Sequence, residues 1–209
     1  MHIYAFGSLC RGEVDFGSDV DLLSIIEGPD SRFDPDVFAK YSYDRIRSLW
    51  KEGNPFAWHL ATEARLIFAS DARNFLLDLG RPAPYGRCAE DCQKFFRVYE
   101  VAFEALTSGK CSLVFELATV FLAVRNFATC FSLGMTKQPN FSRHSAKEIG
   151  ERSLNISDGA YRLLERSRIL AIRATGPMIQ AQELQACLED VCAIRSWMQK
   201  LLTEVKPDG

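Results

Sequence analysis

Ala5-Phe6-Gly7-Ser8, and after ten intervening residues Asp19-Val20-Asp21-Leu22, decide how this chain is read. The first quartet ends an apolar run, His2 to Phe6, short enough to be a buried strand. The second opens another, Val20 to Ile26. Residues i and i+2 of a strand project from the same face. Asp19 and Asp21 therefore point the same way at the head of the second strand. Two carboxylates so placed repel one another unless a cation lies between them, and Mg²⁺ prefers oxygen ligands while keeping positions open for phosphate. Gly7 allows a backbone to approach a phosphate closely, and the Ser8 hydroxyl can donate to it. An isolated Asp-x-Asp is usually a solvated turn; the ordered combination with Gly7-Ser8 is what points to metal-dependent phosphoryl chemistry.

Phe6-Gly7-Ser8, Arg11-Gly12 in the connecting segment, and Asp19-Val20-Asp21-Leu22 together resemble the nucleotidyltransferase superfamily of DNA polymerase β, in particular its minimal nucleotidyltransferases. The resemblance covers about a tenth of the chain. It implies Mg²⁺ (or Mn²⁺) held by Asp19 and Asp21, with ATP or another nucleoside triphosphate as substrate. Gly7 and Ser8 would cradle the phosphates and Arg11 would neutralise triphosphate charge. Active members add a third acid from a neighbouring strand as metal ligand and base. Asp36, before Val37-Phe38, is the candidate for that role, although Asp34-Pro35-Asp36 also reads as a turn. Glu63 is the reserve, with a helix face as its plainer reading. His59 and Glu63 form an i, i+4 pair that can touch. Relatives usually carry a helix ahead of the first strand, whereas this sequence starts at the strand.

The composition is that of an ordinary globular chain. The 209 residues are 47% hydrophobic and 25% charged, with a formal net charge of −2. That balance argues against a protein that coats nucleic acid, which would show a net basic face. The seven cysteines are odd in number and lack Cys-x-x-Cys spacing, so reduced thiols in the cytoplasm are expected rather than zinc or disulfides. No signal peptide is visible, and no apolar run is expected to reach membrane-span length. The nearest, Val114–Cys130, is interrupted by Glu116, Arg125 and Asn126.

The first half of the sequence alternates strand and helix patterns. A third strand is expected over 36–42, helices over 43–52 and 56–64, a short extended piece over 65–68, and a helix over 70–79. The Pro/Gly-dense stretch Gly80–Gly86 marks the expected boundary between a nucleotidyltransferase domain at 1–80 and a helical bundle at 87–205. Helices are expected at about 88–108, 112–134, 145–155, 158–174 and 177–204. Phe95, Phe96, Tyr99 and Phe103 share one helical face, as do Leu117, Phe121, Val124 and Ala128, which are core stripes. The fold class is therefore a small mixed α/β (α+β) domain followed by an all-α bundle.

That order resembles aminoglycoside-modifying relatives and pairings with HEPN-type bundles. Arg125-Asn126 begins a HEPN-like ribonuclease pattern, but Thr129, Cys130 and Phe131 stand where its His is expected, and His144 is distant, so no ribonuclease centre is expected. Two functions remain open. One is transfer of a nucleoside monophosphate, AMP first among them, to a hydroxyl on a protein, a nucleic acid or a small molecule, in a toxin–antitoxin or phage-defence setting. The other is a catalytically weak nucleotidyltransferase fold that works by binding a toxin, a defence-complex subunit or another copy of itself.

Overall fold

The structure, a computed structural model, describes residues 1–13, 20–109, 112–136 and 138–205. The chain divides into two compact units, Met1–Gly86 and Arg87–Gly209.

The first unit is built on a mixed sheet. Strand β1 (His2–Phe6) is followed by a single-turn helix α1 (Ser8–Arg11), then β2 (Asp21–Ile25), β3 (Phe38–Tyr41), α2 (Tyr43–Lys51), α3 (Pro55–Glu63), β4 (Arg65–Ala69) and the short α4 (Phe75–Asp78). The sheet order is β3-β2-β1-β4. β1 lies antiparallel to β2 and β4, and β2 lies parallel to β3. The register pairs His2 with Ile25, Tyr4 with Leu23 and Phe6 with Asp21, so these residues share a face. That face forms the core with Ile46, Leu49 and Trp50 of α2, Ala57 and Leu60 of α3, and Leu76 of α4. Asp21 ends the row at its rim, half-buried.

Local chemistry sets the element ends. Ser42 caps α2 by accepting from the Arg45 N–H, and Asn54 caps α3, with Pro55 at its first position. β3 is shorter than expected because Asp34-Pro35-Asp36 forms the turn. The Val37 and Phe38 N–H groups both donate to Asp34 O, and the Asp36 N–H donates to Asp34 Oδ1 at 2.9 Å. The helix expected over 70–79 shrinks to Phe75–Asp78. Ala72 takes φ 57°, which breaks a helix there. Asn74 then caps the turn that follows, and the Tyr4 hydroxyl donates to Asn74 Oδ1 at 3.0 Å.

Gly80–Gly86 is a strap docked on α2 and α3. Trp50 Nε1 donates to Gly80 O and Trp58 Nε1 to Ala83 O, both at 3.0 Å. The Ala83 N–H donates to Trp50 O. Gly53, at φ 62°, passes so close that a Cβ there would sit 2.4 Å from Pro84 O. This stretch therefore belongs to the first unit.

The second unit is helical: α5 (Cys88–Ser108), α6 (Leu113–Phe131), a π turn at Ser132–Thr136, 3₁₀ turns at Ser145–Lys147 and Gly150–Arg152, α7 (Asp158–Arg173) and α8 (Ala181–Glu204). The helix expected over 145–155 is replaced by those two 3₁₀ turns, with Gly150 at φ 66° between them. α6 packs against both α5 and α7 and is buried almost all round, as a central helix must be. Phe127 stacks on Phe131 and meets Trp197 of α8. Tyr99 ties α5 to α8 by donating to Val191 O at 2.8 Å. Leu113–Thr136 is long and apolar enough to cross a membrane by length and composition, contrary to the sequence expectation, and 56% of that window is buried inside the protein.

The described cysteines are thiols outside any disulfide. Cys88, Cys92 and Cys130 are buried; a hydrogen bond with Cys88 and burial push the Cys92 thiol far up, leaving it unreactive.

Candidate active site

The site is assembled where β1 ends and β2 begins. Phe6 and Asp21 are cross-strand partners, so the turn after Phe6 is carried to the Asp21 carboxylate by the sheet register. Gly7 makes that turn at φ 73°, ψ −148°, a region open essentially to glycine alone. A Cβ on Gly7 would lie 2.2 Å from Asp21 Oδ2. The glycine thus serves two needs at once, a sharp exit from the strand and room for the carboxylate against the backbone. Ser8, half-buried, begins α1. The turn closes when the Cys10 and Arg11 N–H groups donate to Gly7 O at 3.1 and 3.3 Å. Gly12, at φ 74°, ends it in the left-handed conformation.

Three of the residues singled out from sequence, Gly7, Ser8 and Asp21, are brought together in this way. Asp19 lies outside the described residues. β2 and β3 begin their pairing at Leu22 and Phe38, and Asp36 lies two residues ahead of β3. Asp36 is exposed in the Asp34-capped turn, the alternative its sequence context already offered. Among the described residues, no three His, Cys, Asp or Glu side chains gather as a metal cluster.

Arg11 meets two carboxylates. Its guanidinium donates to Glu63 Oε2 at 2.5 Å through Nη1 and to Glu13 Oε2 at 2.8 Å through Nε. Burial opposes the Arg11 charge, but the hydrogen bond to Glu13 and the attraction of Glu63 outweigh it and raise the guanidinium further. Glu63, 8% exposed, accepts in addition from His59 Nε2 at 2.9 Å. The His59–Glu63 contact follows from their i, i+4 spacing. The Arg11–Glu63 contact spans 52 positions, and no local pattern signals it. The His59 ring stands edge-on to Phe6, with centroids 5.4 Å apart. Above the same strand end, burial pushes the Cys10 thiol up.

The donors fit a hard divalent cation in kind. Asp21 offers carboxylate oxygen, the donor such a cation prefers, and its Oδ2 occupies the room that a side chain on Gly7 would take. No curated protein and no solved structure matches the chain. Residues 2–80 match the family model of the nucleotidyltransferase domain, which spans the whole sheet, the Gly7-Ser8 turn and Asp21, so the first unit is similar to a nucleotidyltransferase domain.

Proposed function

We propose that this protein transfers a nucleoside monophosphate, AMP in the first instance, from a triphosphate to a hydroxyl acceptor, with Mg²⁺ or Mn²⁺ as cofactor. The observation that carries the reading is the approach of Gly7 to Asp21 Oδ2: a glycine turn pressed against a strand-borne carboxylate. Asp21, with Asp19, would hold the cation. When bound, the ion supplies neutralisation of phosphate charge in the transition state. The chain's own part is positional. The bare Gly7 backbone leaves space for phosphate oxygens, and the Ser8 hydroxyl donates to them. The expected course is in-line attack of the oriented acceptor hydroxyl on the α-phosphorus: the new O–P bond forms as the bond to the β-phosphate oxygen breaks, pyrophosphate leaves and the hydroxyl proton passes to solvent. The acceptor is a hydroxyl on a protein, a nucleic-acid end or a small molecule, and a toxin–antitoxin or defence pairing supplies the context. The odd number of cysteines without Cys-x-x-Cys spacing supports a reducing compartment such as the cytoplasm.

Calorimetric titration of ATP into wild type and Asp19→Ala/Asp21→Ala, each with and without Mg²⁺, tests this. Metal-dependent binding that disappears in the double variant is the expected result. Equal binding in both removes the site.

The exposed position of Asp36 favours a second reading: a weak transferase whose fold is retained for binding another protein. Tight binding to a protein partner that survives Asp19→Ala/Asp21→Ala, with no nucleotide transfer by wild type, would select it.

A further inference from the structure

Helix α1 is four residues long, too short to hold itself in water, because a single turn fixes several dihedrals for one hydrogen bond. Something else must keep Gly7-Ser8 against Asp21. Arg11 ends that helix, and its side chain reaches across to Glu63 at the end of α3. Glu63 also receives His59, which packs on Phe6, and Phe6 is the cross-strand partner of Asp21. One buried carboxylate thus joins the glycine turn, helix α3 and the strand end facing the acid. A carboxylate this buried needs hydrogen-bond partners, and the Arg11 guanidinium it holds is fixed in return.

The geometry points to Glu63 as the positioning residue of the site: it anchors Arg11 as a brace that holds the Gly7-Ser8 turn in its approach to Asp21, rather than leaving Arg11 as an arm for triphosphate. The inference rests on the nucleotidyltransferase reading for its consequence in nucleotide binding, but not for the brace itself. The two roles of Arg11 differ in sign. If Arg11 were a phosphate arm, Glu63 would compete with the nucleotide for it, and neutralising Glu63 would tighten nucleotide binding. If Arg11 is a brace, neutralising Glu63 loosens the turn and weakens binding.

Glu63→Gln keeps the size and an accepting oxygen while removing the charge. In the nucleotide-free protein, amide hydrogen exchange at Cys10 and Arg11 should quicken about tenfold or more, with the amides of α6 unchanged. Titration with Mg²⁺-ATP should show binding weakened about tenfold, and Arg11→Lys/Glu63→Gln should weaken it no more than the worse single change, because the two residues act as one unit. Tighter Mg²⁺-ATP binding in Glu63→Gln, or exchange at Cys10 and Arg11 unaltered, overturns the inference. If wild type itself binds no Mg²⁺-ATP, the nucleotidyltransferase reading fails while the exchange measurement still decides whether the brace exists. Should Glu63→Gln not fold, Arg11→Lys, at a half-buried surface position, reads the same two quantities.

Discussion

The two units bury polar groups for opposite reasons. In the helical unit they fasten backbone to backbone. Arg125 donates to Phe141 O at 3.0 Å and to Ser142 O, Thr129 donates to Asn140 O, and Ser145 donates to Arg125 O. Together they pin the irregular segment after the π turn onto α6. In the nucleotidyltransferase unit the buried charge of Glu63 binds side chains, Arg11 and His59, that stand around a strand end with a carboxylate at its rim. The first arrangement ties an irregular segment to a helix through carbonyls; the second meets the turn that approaches Asp21. Burial of a polar residue is thus no sign of chemistry by itself. What its partners are attached to makes the difference.

That comparison breaks most visibly in the helical core. Phe127 is fully buried between Phe131 and Trp197, so Phe127→Ala should cost about 3–5 kcal/mol. Chemical denaturation followed by exchange of α6 amides would show it, while the Cys10 and Arg11 amides keep their wild-type rates. Loss of protection at both places together would mean that the two units share one cooperative core.

Gly7→Ala should act the other way, on the site and hardly on α6. The backbone strain is about 1–3 kcal/mol for a non-glycine residue in this region. The added methyl group must also displace the Asp21 carboxylate, whose Oδ2 lies 2.2 Å from where that carbon would stand. Mg²⁺-ATP binding should fall at least about tenfold, a change of ~1.4 kcal/mol. Undiminished binding would show that the Gly7–Asp21 approach is incidental.

A smaller effect is expected at the strap. The Pro/Gly composition of Gly80–Gly86 suggests a proteolytic nick, but its carbonyls are held by Trp50 and Trp58. Limited proteolysis of wild type should spare it. Trp50→Phe removes one hydrogen bond, about 1 kcal/mol, and Trp50→Phe/Trp58→Phe should open the segment to cleavage. Early cleavage of wild type at Gly80–Gly86 would refute the docking.

The smallest effect is on the acid limb of the helical unit. Lys147 holds Asp158, in the first turn of α7, below the ordinary carboxylate range, chiefly through their hydrogen bond. A carboxyl with a depressed native pKa stabilises the fold above its unfolded pKa of about 4 and loses that contribution as pH falls through the native value. Asp158→Asn should therefore lower the melting temperature slightly near neutrality and leave it less sensitive to acidification than wild type. The pair is solvent-exposed, so the shift should be modest.

Much of this was legible in the residues. Apolar stripes at helical spacing located α5, α6, α7 and α8 within a few residues, because a long helix must bury one face whatever it packs on. Short apolar runs located β1 and β2, and the glycine–serine pair pointed to the turn that meets Asp21. Where expectation failed, a nonlocal or conformational cause intervened. Asp36 reads as strand-like until Asp34 caps the turn around it, and the 70–79 helix survives only past the left-handed Ala72.

By itself the sequence determined the order of the strands and long helices, the division into a sheet-bearing and a helical part, and the reach of His59 to Glu63, since each follows from side-chain pattern along one segment. Only the tertiary structure decided that Gly7 lies against Asp21, that Asp36 falls in a capped turn ahead of β3, and that Arg11 is paired with Glu63. Those contacts depend on strand register and on residues far apart in the chain, and their free energy is gained only when the sheet is assembled, so no local pattern can announce them.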